Sequence, residues 1–227
     1  MTRARRKAAP GPKRPQKRSE RNRQRILAAA ERLFAERGYS DTSIDAVAEA
    51  VDMYQPGIYY YFPNKQVLYE EVVRAAITSL DDRVKELLVS SDPPEERLLA
   101  SAAAWVDLLT ERPTLARLML HEAAKPESSA IARILPEMGG RVQAMIEGAF
   151  RELGLEPTPD DVFHYASVTT GAALFFIAAM QPLMSGRKEP EVTRSMERHK
   201  QLLLSGTRDL IRTMREERAP LERAGNE

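Results

Sequence analysis

The chain has 227 residues, 43% of them hydrophobic and 30% charged, and contains no cysteine. That length suits one large core, or a small domain beside a larger one, and the missing thiols exclude disulfides, thiolate metal sites and cysteine nucleophiles. His121, His164 and His199 stand too far apart for a metal-ligand spacing, so no metal or other cofactor is expected.

Charge divides the chain unequally. The first 25 residues hold 11 Lys and Arg against the single acid Glu20, so an overall charge of +1 leaves −9 on the remainder. A basic end is attracted to nucleic-acid phosphates while an acidic body is turned away from them; a merely solvated tail is the competing reading. Residues 1–18 combine Pro, Gly and basic residues with little that is apolar, and are expected to form a disordered basic arm. The basic start lacks the apolar run of a secretory signal. The longest apolar stretch, residues 171–180 (GAALFFIAAM), falls well short of the roughly 18 residues that span a bilayer. A cytoplasmic chain with no membrane contact is expected.

From Ser19 the spacing of Ile26, Leu27, Ala30, Leu33 and Phe34 predicts an amphipathic helix, with Gly38 supplying the left-handed residue that ends it. Thr42-Ser43-Ile44-Asp45 reads as a capping box with Asp in place of Glu, opening a short helix with Ile44, Val47, Ala48 and Val51 on one face. Asp52 then suits a sharp left-handed turn with Met53 tucked inward, and a third helix starts near Gln55 with Pro56 in its first turn. Two short helices around a tight turn make a helix-turn-helix, whose second helix can enter a DNA major groove. Three consecutive tyrosines, Tyr59, Tyr60 and Tyr61, point about 100° apart on such a helix, so they cannot all be core. Tyr61 and Phe62 are read as packing inward, Tyr59 and Tyr60 as facing DNA, where a phenol can donate to a phosphate.

Residues 33–39 (LFAERGY), 42–51 (TSIDAVAEAV) and 57–65 (GIYYYFPNK), in this order and spacing, make residues 26–65 resemble the DNA-binding domain of the TetR family of transcriptional regulators. The resemblance implies that Gln55, Pro56 and Gly57 meet base edges, that Tyr59, Tyr60 and Lys65 touch the DNA backbone, and that Ser43 adds a contact from the preceding helix. Tyr54 stands where the family has a small capping hydroxyl and is itself a candidate contact; Asp52 replaces the common turn glycine. Gly57 inside so short a helix costs roughly 1 kcal/mol against Ala, either because the space is needed or as a tolerated defect.

Asn64 caps a long fourth helix, and breaks follow at Ser91-Asp92-Pro93-Pro94, Arg112-Pro113, Lys125-Pro126, Gly154 and Ser185-Gly186. The stretches between them are helical in pattern and none alternates like a strand, so the fold class is all-α. The expected organisation is the arm at 1–18, a three-helix helix-turn-helix domain at 19–66, and a larger helical effector-binding and dimerisation domain at 67–227. Thr158-Pro159-Asp160-Asp161 is a strong helix start, and the helix it opens becomes apolar almost all round. Such a helix needs cover from several sides, from within the chain or from a second copy; with the last helix it could form a four-helix bundle across a twofold axis. The family resemblance implies that homodimer, and a twofold dimer would read a palindromic operator in double-stranded DNA.

The resemblance also implies a small-molecule cavity in the middle helices, for which Trp105, Met119, His121, Met138, Met145 and Phe150 are candidates and a hydrophobic or aromatic effector is expected. Met and aromatic stripes are more often plain core than cavity lining, and His121 and Trp105 are the preferred lining residues because each has a polar group that an apolar core would have to satisfy. An enzyme is excluded by inventory, since cysteine, spaced histidines and a glycine-rich phosphate loop are all missing. The expected function is a repressor released from DNA by its effector; the alternative is a sequence-indifferent structural DNA-binding protein held by its arm.

Overall fold

The computed structural model describes residues 14–124, 130, 133–134, 140–184 and 186–224, and among these every regular element is helical. Helix α1 spans Arg14–Asp41. It therefore begins five residues before Ser19, with Pro15 near its start where the missing N–H costs nothing; the rest of the expected arm, residues 1–13, lies outside the described residues. Ile26, Leu27, Ala30, Leu33 and Phe34 are all buried. At Gly38 the backbone leaves helical geometry (φ 80°, ψ 173°) as expected.

The capping expectation shifts by one residue. Ser43, not Thr42, is the N-cap of α2 (Ile44–Ala50), its hydroxyl accepting from the Ala46 N–H at 3.0 Å. Thr42 is buried, and its hydroxyl donates to the carbonyls of Leu33 (3.1 Å) and Gly38 (2.8 Å). It thereby satisfies acceptors that the end of α1 leaves open. Asp52 adopts φ 54°, and the Met53 N–H donates to the Ala48 carbonyl at 2.9 Å, forming the predicted left-handed turn. Helix α3 (Gln55–Tyr59) follows, and α4 (Lys65–Leu88) starts from Asn64, whose side chain accepts from the Val67 N–H at 2.9 Å.

The body contains α5 (Pro94–Glu111), α6 (Pro113–Ala123), α7 (Gly140–Glu152), α8 (Pro159–Met184) and α9 (Glu189–Ala224). Thr158 and Asp161 form a reciprocal capping box at the start of α8. Within α8 the backbone widens to π-helical turns at Ser167–Gly171 and again at Phe176–Met180, then tightens to a 3₁₀ turn at Gln181–Met184. Each widening rotates the side chains that follow relative to a regular helix.

Three apolar clusters organise the chain. The first joins α1 to α4, but also includes Leu118 of α6 with Ala130 and Ile134, so body residues complete the core of the helix-turn-helix. The second packs α5, α6, α8 and α9 around Leu109, Leu115, Ile177 and Leu203; the third packs the far end of α4 with α5, α7, α8 and α9 around Leu98, Phe150, Tyr165 and Ile211. In the third, the terminal nitrogens of buried Arg97 pair with Glu152 and donate to the Leu88 carbonyl, its Nε is left without a partner among the described residues, and the Tyr165 hydroxyl donates to the Leu98 carbonyl beside Ser101.

Polar ties fix the body onto the N-terminal helices. Arg112 and Thr114, at the start of α6, both bond Glu31 of α1, at 2.6 and 2.9 Å. Farther along α6, buried Glu122 accepts from the Tyr69 hydroxyl of α4 and from the Ala130 N–H. Arg23 of α1 pairs with Glu71 of α4 at 2.6 Å. Helix α6 is consequently held to α1 at one end and to α4 at the other.

Candidate nucleic-acid interface and responsive body

Helix α3 is anchored from within and displayed outward. Fully buried Ile58, with Phe62 just beyond the helix, secures its inner side, while Tyr54 and Tyr60 on the outside are 89% and 79% exposed. Tyr59 is also exposed, and Tyr61 is half-buried against the core, its hydroxyl 3.5 Å from the donating amide of Asn22. The ring of Tyr60 meets that of Tyr61 edge to face with centroids 5.0 Å apart. The run of three tyrosines thus divides between an inner brace and two outward phenols.

At the start of α3, Tyr54 is extended (φ −87°, ψ 151°) and makes no side-chain cap. Its phenol points into solvent instead, beside half-buried Gln55 and exposed Pro56. A Cβ on Gly57 would sit 2.9 Å from the terminal methyl of Met53, so the space over this glycine is occupied by the inward-tucked turn residue. Ser43 is exposed, and since its oxygen serves the cap, its hydroxyl proton remains available to an outside acceptor.

Lys65 is more engaged than a plain phosphate cation. Its Nζ donates to the Ser40 carbonyl at 3.0 Å and lies 4.5 Å from the Tyr39 ring centroid, tying the start of α4 to the end of α1. An ammonium has three donors, so it can still serve an anion from this position. A brace the sequence reading missed is Arg25, whose guanidinium donates to the Val51 carbonyl at 3.1 Å and holds the turn before α3. Only the crowding of cations before Ile26 hinted at it.

The candidate effector residues do not converge on one spot. Trp105 is half-buried and packs against both body clusters. Met119 belongs to the second cluster, Met145 and fully buried Phe150 to the third. His121 must be struck from the lining, because it is exposed. The rows of α6 that carry Leu115, Ala116 and Leu118 turn inward, leaving position 121 outside. Met138 lies outside the described residues. The open groove at the start of α9, lined by Pro190, Thr193, Arg194 and Glu197, contains none of the six.

Helix α8 is apolar on average over more than the uninterrupted run of ten. The continuous helix Pro159–Met184 is long and apolar enough, by length and composition, to cross a membrane, and only a third of its most apolar window is buried within the chain. Two of its hydroxyls bond its own backbone, Ser167 donating to the Phe163 carbonyl and Thr169 to that of Tyr165, both at 2.8 Å. Phe163, Phe175, Met180 and Leu183 of α8 and Leu202 of α9 remain exposed. Between these helices the His199 ring stacks on Phe176 at 3.9 Å, and burial lowers its imidazole below the ordinary range.

Residues 26–72 match the sequence profile of bacterial regulatory proteins of the tetR family. The transcriptional activator FasR of Mycolicibacterium smegmatis is 27% identical over 139 residues, 61% of this chain and 63% of that protein. The chain thus spans under two thirds of that relative. IcaR of Staphylococcus aureus, a negative transcriptional regulator of a biofilm operon, is 33% identical over 58 residues, 26% of this chain and 31% of its own. The crystal structure of a TetR transcription regulator from Haloarcula marismortui superposes with a TM-score of 0.65 over 86% of this chain and 98% of that one, at 16% identity, a likeness of fold. An anchored, outward-facing helix after a left-handed turn lies within the matched segment, so residues 26–72 carry a DNA-binding segment of the tetR family, on an all-helical body that shares the fold of solved TetR regulators.

Proposed function

We propose that the protein is a homodimeric repressor that binds a palindromic operator in double-stranded DNA and leaves it when a small hydrophobic or aromatic effector enters the body. The observation that carries this reading is the outward display on α3, with Tyr54, Tyr59 and Tyr60 solvent-facing around Gln55, Pro56 and Gly57. Gln55 can bond adenine at two points, and the phenols of Tyr59 and Tyr60 with Ser43 and Lys65 reach the backbone on either side. The exposed apolar face of α8 and Leu202 of α9 supplies the surface for a second copy. A twofold pair sets two α3 helices in successive major grooves about 34 Å apart. Such a dimer occludes a promoter by volume alone, with no further partner, which favours repression.

In this reading the effector enters beside half-buried Trp105, which packs against both body clusters, the one that holds Met119 and the one that holds Met145 and Phe150. Entry there would displace α6, and α6 carries Leu118 into the N-terminal core while holding Glu31 and Tyr69. A tilt of α6 therefore re-aims α1 and α4, and two recognition helices that no longer match the groove spacing release the DNA.

The test is selection of genomic fragments by the purified protein at physiological salt, repeated with Gln55→Ala and Tyr59→Phe. The expected result is an enriched palindrome that Gln55→Ala abolishes and Tyr59→Phe weakens. Salt-sensitive retention of DNA with no enriched sequence, indifferent to both changes, would refute it and leave a sequence-indifferent DNA-binding protein.

A further inference from the structure

Helix α1 carries a second cationic surface that the recognition helix does not account for. Its first buried core residue is Ile26, yet the helix starts at Arg14, so three turns precede the packed part. Of the cations on those turns, Arg23 is neutralised by Glu71 and Arg25 is spent on the Val51 carbonyl. Lys17, Arg18 and Arg21 are exposed and have no ion-pair partner among the described residues, and the lone acid nearby, Glu20, is bonded by Gln24 at 2.8 Å. Three unpaired cations on one short helical stretch repel one another, a cost that an outside anion removes.

Two hydrogen bonds fix where these cations stand relative to α3. Arg25 reaches the Val51 carbonyl just before α3, and Asn22 reaches the Tyr61 hydroxyl just after it. This part of α1 therefore runs beside both ends of the recognition helix. Arg21 lies one turn before Arg25, and Arg18 one turn before Asn22, so each sits about 6 Å farther along the same two rows. When a helix lies in a major groove, its two ends abut the phosphate walls of that groove. Arg21 lies level with Asn22 at the Tyr61 end of α3, and Arg18 and Lys17 lie about one turn beyond it, so these cations face the phosphates of that wall, which duplex DNA presents at one charge per about 1.7 Å of axis.

We infer that Lys17, Arg18 and Arg21 form a DNA-backbone contact surface separate from the recognition helix, one that clamps phosphates flanking the half-site independently of base sequence. The inference rests on the domain binding DNA through α3, and not on any particular operator. Its cations contribute affinity and orientation, because the rest of the chain, at −9 beyond residue 25, is repelled by the same phosphates. They contribute no discrimination between sequences, since phosphate contacts carry no base information.

The full-length protein is titrated against a 30-base-pair random-sequence duplex and against the most enriched fragment from the genomic selection, over a series of salt concentrations. Each lost phosphate contact lowers the log–log salt slope by about 0.9. The variant Arg18→Gln/Arg21→Gln should lower the slope by about 1.8 per bound subunit on both duplexes, leave their affinity ratio unchanged, and leave the melting temperature unchanged. Arg18→Lys/Arg21→Lys should restore the slope, and Arg198→Gln/Arg208→Gln on the exposed side of α9 should not alter it. An unchanged slope in the Arg18/Arg21 glutamine variant would overturn the inference. So would a loss confined to the enriched fragment, which would make these side chains sequence readers. Absence of any enriched fragment removes the repressor reading but leaves the random-duplex arm of the test intact.

Discussion

Replacing Phe175 by Ser tests the dimer at its apolar face. Phe175 is 57% exposed on α8, so its truncation removes little from the packing of the single chain. A phenylalanine side chain presents about 200 Å², so roughly 115 Å² of it awaits cover. At about 25 cal/mol per Å² that area is worth about 3 kcal/mol. The substitution occurs on both subunits, giving about 6 kcal/mol across a twofold interface, and the ordering and imperfect fit that accompany association reduce the realised share to about half. About 3 kcal/mol corresponds to a weakening of the dimer by roughly a hundredfold. Sedimentation equilibrium over a concentration series measures it, and circular dichroism melting of the dilute monomer verifies that the fold survives. A dimer constant within tenfold of the wild type would refute the argument that this face is the covered one. So would a wild-type chain that stays monomeric at high micromolar concentration.

Asp52 holds φ 54°; Asp52→Val should destabilise the protein by about 1 to 2 kcal/mol, because a β-branched side chain tolerates the left-handed region poorly, whereas Asp52→Gly should change it by less than about 1 kcal/mol, both measured by urea denaturation. Tyr69→Phe removes the hydroxyl donated to buried Glu122 and should cost about 1 to 3 kcal/mol at neutral pH. Burial and the Glu122 partner hold the Tyr69 phenol well above its ordinary 10.0. A raised value means that its stabilisation is whole below pH 10 and is lost as pH rises beyond, so the alkaline fall of the melting temperature should flatten in Tyr69→Phe. For His199 the sign reverses: burial lowers its value below 6.5, outweighing a backbone bond with Ala172. The neutral ring is favoured in the fold, so its stabilisation is complete above pH 6.5 and declines as pH falls below it; His199→Phe should reduce that acid loss, read from melting temperature against pH.

The sequence by itself determined the local chemistry of the N-terminal helices. Gly38 and Asp52 announced left-handed turns, Asn64 and Thr158 announced helix starts, and 3.6-residue spacing sorted Ile26, Leu33, Phe34, Ile44 and Val47 into a core. These signals are legible because turns, caps and faces depend on residues within a few positions of one another. Even there, one capping hydroxyl was misassigned: Thr42 and Ser43 are equivalent as local caps, and the choice was made by the Leu33 and Gly38 carbonyls that the fold brings to Thr42.

Contacts between distant residues were decided only by the tertiary structure. Nothing in the spacing of α6 says that Leu118 completes the core of the N-terminal helices, that Glu122 meets Tyr69, or that His121 is left outside. The apolar run in α8 read as ten residues because Ser167, Thr169 and Thr170 interrupt it. The structure makes Pro159–Met184 one continuous helix, and averaged along it the composition is apolar over a longer span than the uninterrupted run. Likewise a count of cations located the basic end, but only the bonds from Asn22 and Arg25 to the two ends of α3 separated the arginines that brace the fold from those left free for a partner. Sequence period specifies which face of a helix is apolar; which neighbour that face meets depends on packing among elements far apart in the chain.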